Sequence, residues 1–384
     1  MQAYKFKLYK TKKTKHIDDM LREAAFTWNH ALAMQKRYYS LYGEYINKFQ
    51  LKKWFDKRIK RRYLGSQVRQ EIILRLDKSY SRFFKKIAKR PPKFKKSSDF
   101  ISIVYSQYGY KVQDNRLILN SRFCFKFSKS RDIHGNIKQV IVKRSKTNEY
   151  YVTIVTDFKP TQYRKTHNGA SVGIDFGLKT YLTMSDGSKY SNPLFFKHYL
   201  SEINRKSKKL SRSKRGSNNR LKKKTQLSKL HERVYNKRID FQFKLAHELC
   251  KKYDYIFIED LSIVGMTKRW GRKVNDLAHA SFVEKLEYIA SRYGVVVHKI
   301  DKWYASSKTC NCGYVYKSLK LNERSWACPK CGNINDRDLN AAKNILRKGI
   351  SELESKYKTS SLAFYDCIQE SHDKCEYVNL FLSI

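Results

Sequence analysis

The chain has 384 residues, which is long for one domain and suits two or three, and 41% of them are hydrophobic, enough to bury substantial cores. Its formal net charge of +48 far exceeds what solubility needs, and 28 tyrosines and 21 phenylalanines accompany it, so long contacts with phosphate backbones and stacked bases are favoured. A membrane is excluded as the acidic partner, because the sequence has no apolar run of about 18 residues and its start lacks the apolar stretch of a signal peptide. Eight cysteines, four of them at metal-ligand spacing, favour a reducing compartment over a disulfide framework, so we expect an intracellular protein.

The first hundred residues predict one strand and two helices. Apolar and polar residues alternate over 4–9, the period of a half-buried strand, which we expect to pair with strands much further along the chain. Apolar residues then recur at helical spacing over 17–32 and 68–87, and the second helix ends before Pro91. With lysine and arginine on their outer faces, these helices form a basic helical lobe over 10–98.

Short β-rich segments fill residues 100–157 and predict a small barrel or sandwich. The opening strand can complete it, so we assign 1–9 and 99–166 to one discontinuous β-barrel in which the helical lobe is an insertion. Aromatic and basic side chains alternate along these segments, which fits a face that binds nucleic acid and an ordinary solvated face equally well.

From residue 167 onward the order of elements predicts a mixed α/β sheet. The segment SVGIDFG is an apolar strand that carries Asp175, and a hairpin turning at Asp186-Gly187 follows it. A second buried strand ends at Glu259, a helix ends at Gly294, and another strand covers 295–300. A cysteine-rich segment and a last helix complete the order.

Two basic segments of this region are candidates for contact with nucleic acid. Residues 201–238 contain fifteen lysines or arginines and two acids, so a nucleic-acid groove is favoured over a solvated helix face. The glycine-hinged loop 263–275 is a candidate lid over a polynucleotide. Its candidate nucleic-acid-binding residues are Lys268, Arg269, Trp270 and Arg272.

Four cysteines form two close pairs, Cys310 with Cys312 and Cys328 with Cys331. The second pair has the C-x2-C spacing at which a tight turn aims two thiolates at one tetrahedral ion, but the first is one residue shorter. The alternatives are a Zn²⁺ site with all four sulfurs and a lone knuckle with two unrelated thiols. We favour the first, because the fifteen intervening residues can close a ribbon that is too small to fold without metal.

Three carboxylates predict the chemistry. Asp175 and Glu259 lie near the C-terminal ends of two strands, the side of an open α/β sheet where ligands bind, and Asp338 lies in the first turn of the last helix. Together they would hold two Mg²⁺ or Mn²⁺ ions, which prefer carboxylates and water, and would support phosphodiester hydrolysis by a two-metal mechanism. Asp260 and Asp336 are alternative candidates, because either could point into the site in place of the nearby acid, Glu259 or Asp338. Arg337, beside the acids, is a candidate for holding the scissile phosphate.

These segments resemble a known family. The stretches GIDFGLKTYLTMSDG, IEDLSIVGM, RSWACPKCG and DRDLNAAKNIL are similar to the RuvC-like nuclease core of TnpB, a transposon-encoded RNA-guided endonuclease regarded as ancestral to type V CRISPR effectors. FTWNHAL and LDKSYSRFFKKI are similar to the front half of the family, so the resemblance covers about residues 1–346. The C-x-C pair departs from the family's C-x2-C.

The resemblance implies a multidomain α+β protein. Its parts are a wedge β-barrel at 1–9 and 99–166, a recognition lobe at 10–98, a RuvC-like domain of ribonuclease H fold at 167–304 and 336–346, a zinc-ribbon insert that binds target nucleic acid at 305–335, and an unassigned tail at 347–384. Asp175, Glu259 and Asp338 match the family's catalytic acids. The implied partners are a noncoding guide RNA from the transposon end and double-stranded target DNA next to a short motif, with the protein a monomer or weak dimer on the RNA.

The favoured hypothesis is therefore a Mg²⁺-dependent, RNA-guided DNA endonuclease that cuts both strands with one RuvC-like site. An RNA-guided repressor that binds without cutting is one alternative. A transposase that uses a ribonuclease H-type acidic triad is the other.

Overall fold

The computed structural model describes residues 1–58, 63–159, 163, 168–260, 271, 276–320 and 323–358. The chain divides into two compact units, Met1–Lys159 and Pro160–Leu382, which are described separately below. In the described ranges, no helix combines the length and the apolar character needed to cross a membrane.

Two antiparallel sheets form the β part of the first unit. The strands are β1 (Gln2–Lys7), β2 (Ser102–Tyr105), β3 (Tyr110–Gln113), β4 (Arg116–Leu119), β5 (Phe123–Lys126), β6 (Ile137–Arg144) and β7 (Tyr150–Thr156). One sheet has the order β1-β7-β6-β2 and the other β3-β4-β5. β1 pairs with β7, with Gln2 opposite Thr156, so the predicted long-range pairing of the opening strand is confirmed. A bridge between Leu8 and Phe127 links the ends of β1 and β5.

In the described part of the chain, three α-helices precede β2. They are α1 (Lys15–Tyr42), α2 (Lys48–Arg58) and α3 (Ser66–Phe84). The apolar stripe of α1 is buried at Ile17, Leu21 and Leu32, and it shares one core with the strands. α3 ends at Phe84, earlier than the predicted Ile87, whose side chain is 63% exposed. The sequence analysis did not predict α2.

A five-stranded sheet organises the second unit. Its strands are β8 (Ser171–Phe176), β9 (Thr180–Met184), β10 (Lys189–Ser191), β11 (Tyr255–Glu259) and β12 (Val296–Ile300), in the order β10-β9-β8-β11-β12. β8, β11 and β12 are parallel, whereas β9 and β10 form the antiparallel hairpin predicted at Asp186-Gly187. The mixed α/β sheet is therefore confirmed.

The other described elements of the second unit connect these strands or follow them. They are α4 (Phe195–Ser211), α5 (Asn218–Lys252), α6 (His279–Tyr293), β13 (Ser325–Ala327), β14 (Ile334–Asp336) and α7 (Arg337–Lys358). α6 ends where predicted, because Gly294 adopts a φ of 67° and caps the helix. α7 continues to Lys358, so the boundary predicted at residue 346 falls inside one helix, and residues 347–358 of the proposed tail are helical.

Candidate active site and cysteine ribbon

The sheet register places two of the predicted acids side by side. In the parallel pairing of β8 with β11, Ile174 lies opposite Ile258, so Asp175 and Glu259 are the next residues on adjacent strands. Both strands end at the same edge of the sheet, as parallel strands must. Asp338 is the second residue of α7, so it approaches from a helix N-terminus, where the backbone dipole favours a carboxylate.

Two glycines let α7 lie directly on this part of the sheet. A Cβ on Gly173 of β8 would collide with the carbonyl oxygen of Ala342 and lie 2.6 Å from the Leu346 nitrogen, both on α7. A Cβ on Gly349 of α7 would collide with the ring of Phe257 on β11. Close helix–strand contact at these positions fixes the start of α7 relative to β8 and β11, and therefore positions Asp338 relative to the other two acids.

The electrostatic environment of Asp175 includes the other two acids. Burial raises the pKa of Asp175 to about 7, and the negative charges of Asp338 and Glu259 add to the rise, while the Arg337 guanidinium opposes it. Burial also raises the pKa of Glu259 to about 7. Two carboxyl groups with pKa values raised toward neutrality at one sheet edge are typical of a functional site.

The carboxylate oxygens of the three acids nevertheless do not all lie within 4.8 Å of one another, as the ligands of one metal ion would. The described part of the chain contains one set of three or more His, Cys, Asp or Glu side chains with ligand atoms all within 4.8 Å of one another, and it is the cysteine set. The Asp338 carboxylate is instead held by Arg324, whose Nη1 lies 2.9 Å from Oδ1 and 3.2 Å from Oδ2. Arg324 was not singled out in the sequence, because no local pattern links it to Asp338.

The competing acids have other surroundings. Asp336 is a helix cap, since its Oδ1 accepts hydrogen bonds from the amides of Asp338 and Leu339, each at 3.0 Å. Its Oδ2 accepts a hydrogen bond from Lys189 Nζ at 3.1 Å. Partial burial acts to raise the pKa of Asp336, but these hydrogen bonds outweigh it and lower the pKa below the usual value. Asp260 is exposed.

A cavity of about 190 Å³ lies beside Glu259 and is also lined by Asp260, Glu284 and His279. His279 is buried, and within the described chain neither of its ring nitrogens has a hydrogen-bond partner. Its ring packs on Phe176, with centroids 4.9 Å apart, and desolvation lowers its pKa to about 4. The imidazole beside this cavity is therefore neutral at physiological pH.

The four predicted cysteines converge. Cys310 Sγ lies 3.7 Å from Cys331 Sγ, and Cys312 Sγ lies 3.6 Å from Cys328 Sγ. Four thiolates around one tetrahedral zinc ion, at Zn–S distances of about 2.3 Å, are about 3.8 Å apart, so this arrangement fits such an ion. The short first pair therefore does reach the second, and the structure favours the four-sulfur site over the lone knuckle.

Two turns and one small core build this ribbon. Cys310 N donates to Tyr314 O and Cys328 N donates to Asn333 O, so each cysteine pair sits on its own tight turn. Trp326 packs beside Cys310 and Cys328 in a core too small to hold the segment together without further links. Asn335 Nδ2 lies 3.7 Å from Cys310 Sγ, and a hydrogen bond from this amide would hold the sulfur in a fixed orientation, as metal ligands require.

Comparisons with known proteins agree with this architecture. A family described as "Probable transposase" matches residues 152–270, and one described as "Cas12f1-like, TNB domain" matches residues 279–345. A protein of Escherichia coli K12 named "Putative RNA-guided DNA endonuclease InsQ" is 28% identical over 84% of this chain and 86% of its own length. A protein of Streptomyces pristinaespiralis named "Putative RNA-guided DNA endonuclease" is 30% identical over 288 residues, which are 73% of this chain and 71% of that protein.

The chain belongs to the TnpB family. The family inferred from the sequence motifs is thus confirmed. The fold of this TnpB-family chain is also similar to the Cas12f1 chain in a solved Cas12f1-sgRNA-target DNA complex, with a TM-score of 0.55, 17% identity, and coverage of 87% of this chain and 83% of that one.

Two asparagines attach the ribbon to α7 in this TnpB-family protein. Asn340 Nδ2 donates to Thr309 O at 2.8 Å, and Asn344 Nδ2 donates to Thr309 O at 2.6 Å and to Ser306 O at 2.8 Å. Both asparagines are buried. The segment that leads into Cys310 is therefore fixed to the helix that carries Asp338. The sequence offers one signal for this role, which is a pair of asparagines four residues apart, on the same face of the helix as the apolar residues Ala341 and Ile345.

The predicted nucleic-acid contacts of this TnpB-family chain divide into two groups. Lys268, Arg269, Trp270 and Arg272 lie outside the described residues, so their role stays a prediction. Arg337 is described, and its Nη1 donates to Lys320 O at 3.1 Å while its charge opposes the rise in the pKa of Asp175. Its predicted contact with a scissile phosphate remains untested.

Proposed function

We propose that this TnpB-family chain is an RNA-guided DNA endonuclease, the activity for which its Streptomyces and Escherichia relatives are named. A noncoding RNA derived from the transposon end serves as the guide, and double-stranded DNA beside a short motif is the substrate. Base pairing selects the target sequence, while the protein binds the phosphate backbone of the nucleic acid. A formal net charge of +48 is consistent with this role. The protein acts in the cytoplasm on nucleoid DNA, as a monomer or weak dimer on the RNA.

The placement of three carboxylates carries the proposal of hydrolysis, since Asp175 and Glu259 follow paired residues of β8 and β11 and Asp338 lies in the first turn of α7. The pKa of the Asp175 carboxyl is raised to about 7 by burial and by the charges of Asp338 and Glu259 together. Such repulsion among carboxylates is costly in a metal-free protein, and a divalent cation relieves it. Their hard oxygen donors are the ligands that Mg²⁺ and Mn²⁺ prefer.

The proposed catalytic and metal-binding residues are Asp175, Glu259 and Asp338. Two Mg²⁺ or Mn²⁺ ions held there would polarise the attacking water and stabilise the leaving 3′ oxygen of the phosphodiester. The fold of the chain determines where these three carboxylates lie. β8 and β11 fix two carboxylates in register, and α7 brings the third. Arg324 already neutralises part of the charge of Asp338, and Arg337 offers a second cation for a phosphate.

The cysteine ribbon is proposed to bind Zn²⁺ through Cys310, Cys312, Cys328 and Cys331. The support is the convergence of the four sulfurs within 4.8 Å and the small size of the core around them. The ion would stabilise the ribbon rather than react, because four cysteine ligands leave no open position for water or substrate.

The test uses the purified protein–RNA complex, a supercoiled plasmid that matches the guide, and Mg²⁺. Asp175→Ala should abolish cleavage while guided DNA binding survives, because only the carboxylate is removed. Asp240→Ala is the matched control, since this acid is 62% exposed on α5 and, among the described residues, its only ion-pair partner is Lys244 four residues on. Cleavage by the Asp175 variant would remove this residue from the mechanism.

The same assay separates the two alternatives. A wild-type complex that binds the plasmid and leaves it supercoiled would indicate a guided repressor. Joined DNA ends in a reaction without guide RNA would indicate a transposase.

A further inference from the structure

We propose that the cleft between α4 and α5 binds the phosphate backbone of the guide RNA. This inference rests on the proposed RNA-guided function and names the surface that would hold the RNA. The cleft has a volume of about 310 Å³. It is lined by Lys206, Lys209, Asn219, Lys222, Lys223 and Gln226.

The cleft is formed before any ligand arrives. Arg220 at the start of α5 donates from Nη1 to the carbonyl oxygens of Leu210 and Ser213, each at 2.8 Å, which ties the two helices together at the turn. Ser217 caps α5 by accepting a hydrogen bond from Arg220 N at 3.2 Å. Lys223 Nζ also donates to Ser213 Oγ at 3.0 Å. A rigid hairpin turn loses little conformational freedom when it binds a partner.

The charge of the cleft is unbalanced. Its lining contains four lysines and no acid. Lys206 pairs with Glu202 at 3.0 Å, but Lys209 and Lys222 form no ion pair with any described residue. Folding therefore brings several ammonium groups around one concave space, where they repel one another until a polyanion neutralises them. The ligand class that fits is a row of phosphates.

The other lining groups indicate which polyanion it is. The cleft has no aromatic side chain, so it does not offer the stacking surface that holds unpaired bases. Asn219 and Gln226 add amides, which donate to and accept from hydroxyl groups such as the ribose 2′-OH. Backbone contacts with a hydroxyl-bearing strand describe structured RNA better than DNA, and in the proposed function that RNA is the guide.

The experiment compares two double variants that differ only in where the charges lie. Lys209→Gln with Lys222→Gln removes two exposed lysines from the cleft. Lys208→Gln with Lys224→Gln removes two lysines that are also exposed, from the same helices but outside the cleft. The probe is the RNA that copurifies with the wild-type protein, transcribed in vitro and titrated against RNA-free protein in several salt concentrations. Melting curves check that each variant is folded.

Each lost phosphate contact should reduce the slope of log affinity against log salt by about 0.7–0.9. At about 150 mM salt, two lost contacts should weaken RNA binding by roughly 15- to 30-fold. The control pair should change it by less than about 3-fold. Equal effects of the two pairs would overturn the proposal, because the loss would then reflect net charge alone.

A second measurement determines whether the cleft binds RNA or DNA. DNA affinity is measured with the RNA already bound to the protein. If the cleft variant binds RNA normally and loses only DNA, the cleft holds DNA and the proposal is wrong. Because RNA affinity is read without cleavage, this result is independent of whether Asp175→Ala abolishes cutting, so the two proposals fail separately.

Discussion

Replacing Asp175 with asparagine should stabilise the metal-free protein at alkaline pH although it abolishes cleavage. Burial and the charges of Asp338 and Glu259 raise the pKa of Asp175 to about 7, so its ionisation in the folded protein is unfavourable. A rise of this size from the usual pKa of an aspartate corresponds to about 4 kcal/mol. The repulsion involves three carboxylates, so replacing Asp175 alone should raise the free energy of unfolding by an amount on the order of 2–4 kcal/mol. Asparagine keeps the shape of the side chain and removes the charge.

The sign of the pH dependence follows from the direction of this change. Below about pH 4 the Asp175 carboxyl group is protonated in both the folded and the unfolded chain, so this group does not destabilise the wild type. Between about pH 4 and about pH 7 the unfolded chain loses this proton while the folded protein keeps it, so the wild type loses stability across this window, and the loss is complete above it. The gain from Asp175→Asn should therefore be near zero at about pH 4 and complete at about pH 8.

Thermal unfolding in Mg²⁺-free buffer measures the effect. A gain of this size should raise the Tm of the variant above that of the wild type by roughly 4–16 °C at pH 8. Millimolar Mg²⁺ should raise the Tm of the wild type and leave the variant nearly unchanged, since a ligand stabilises only the protein that binds it. Asp240→Asn, at an exposed site, is the control. A variant that is no more stable than the wild type at pH 8 would refute the clustering of these carboxylates.

Three other changes have expected outcomes. Cys312→Ser should release the bound zinc and lower the Tm, as metal analysis and melting would detect, whereas Cys124→Ser outside the ribbon should keep the metal. Gly173→Ala should destabilise the second unit by about 1–3 kcal/mol in urea unfolding, because the new methyl group meets the backbone of α7. Asp336→Ala removes the acceptor for two helix amides and should cost about 1 kcal/mol, more than Lys189→Gln, which removes only an exposed ion pair.

Each of these expectations has a contrary result. Full zinc content in Cys312→Ser would exclude this thiol from the site. An unchanged unfolding midpoint in Gly173→Ala would mean that the sheet and α7 can separate without cost. Equal losses in Asp336→Ala and Lys189→Gln would show that the ion pair, and not the cap, is the stabilising contact.

The sequence predicted the parts of the molecule in which local patterns decide the structure. Alternation over 4–9 located β1, and the Asp186-Gly187 turn located the β9–β10 hairpin. α2 was missed because six of its eleven residues are charged and its apolar positions are few. Burial of Leu51 and Phe55 in tertiary contacts stabilises this helix despite its weak pattern. Periodicity cannot indicate such contacts.

The candidate site shows the same division. Order along the chain was enough to place Asp175 and Glu259 on one sheet edge, because parallel strands share their ends. The contact of Arg324 with Asp338 could not be predicted, since it depends on the turn that pairs β13 with β14. Sequence reasoning also left the short cysteine pair open, and only the folded turns decided that its sulfurs reach the second pair.

The position of Arg324 connects the site proposed for Zn²⁺ with the site proposed for Mg²⁺. This arginine directly precedes β13 of the cysteine ribbon, yet its guanidinium rests on a carboxylate proposed to take Mg²⁺. Removing zinc would loosen the ribbon that begins at Arg324 and β13, and Asp338 would lose its counter-charge without being altered itself. A reagent selective for thiolate-bound metal would therefore impair DNA cutting from a distance, and fresh Mg²⁺ would not restore it.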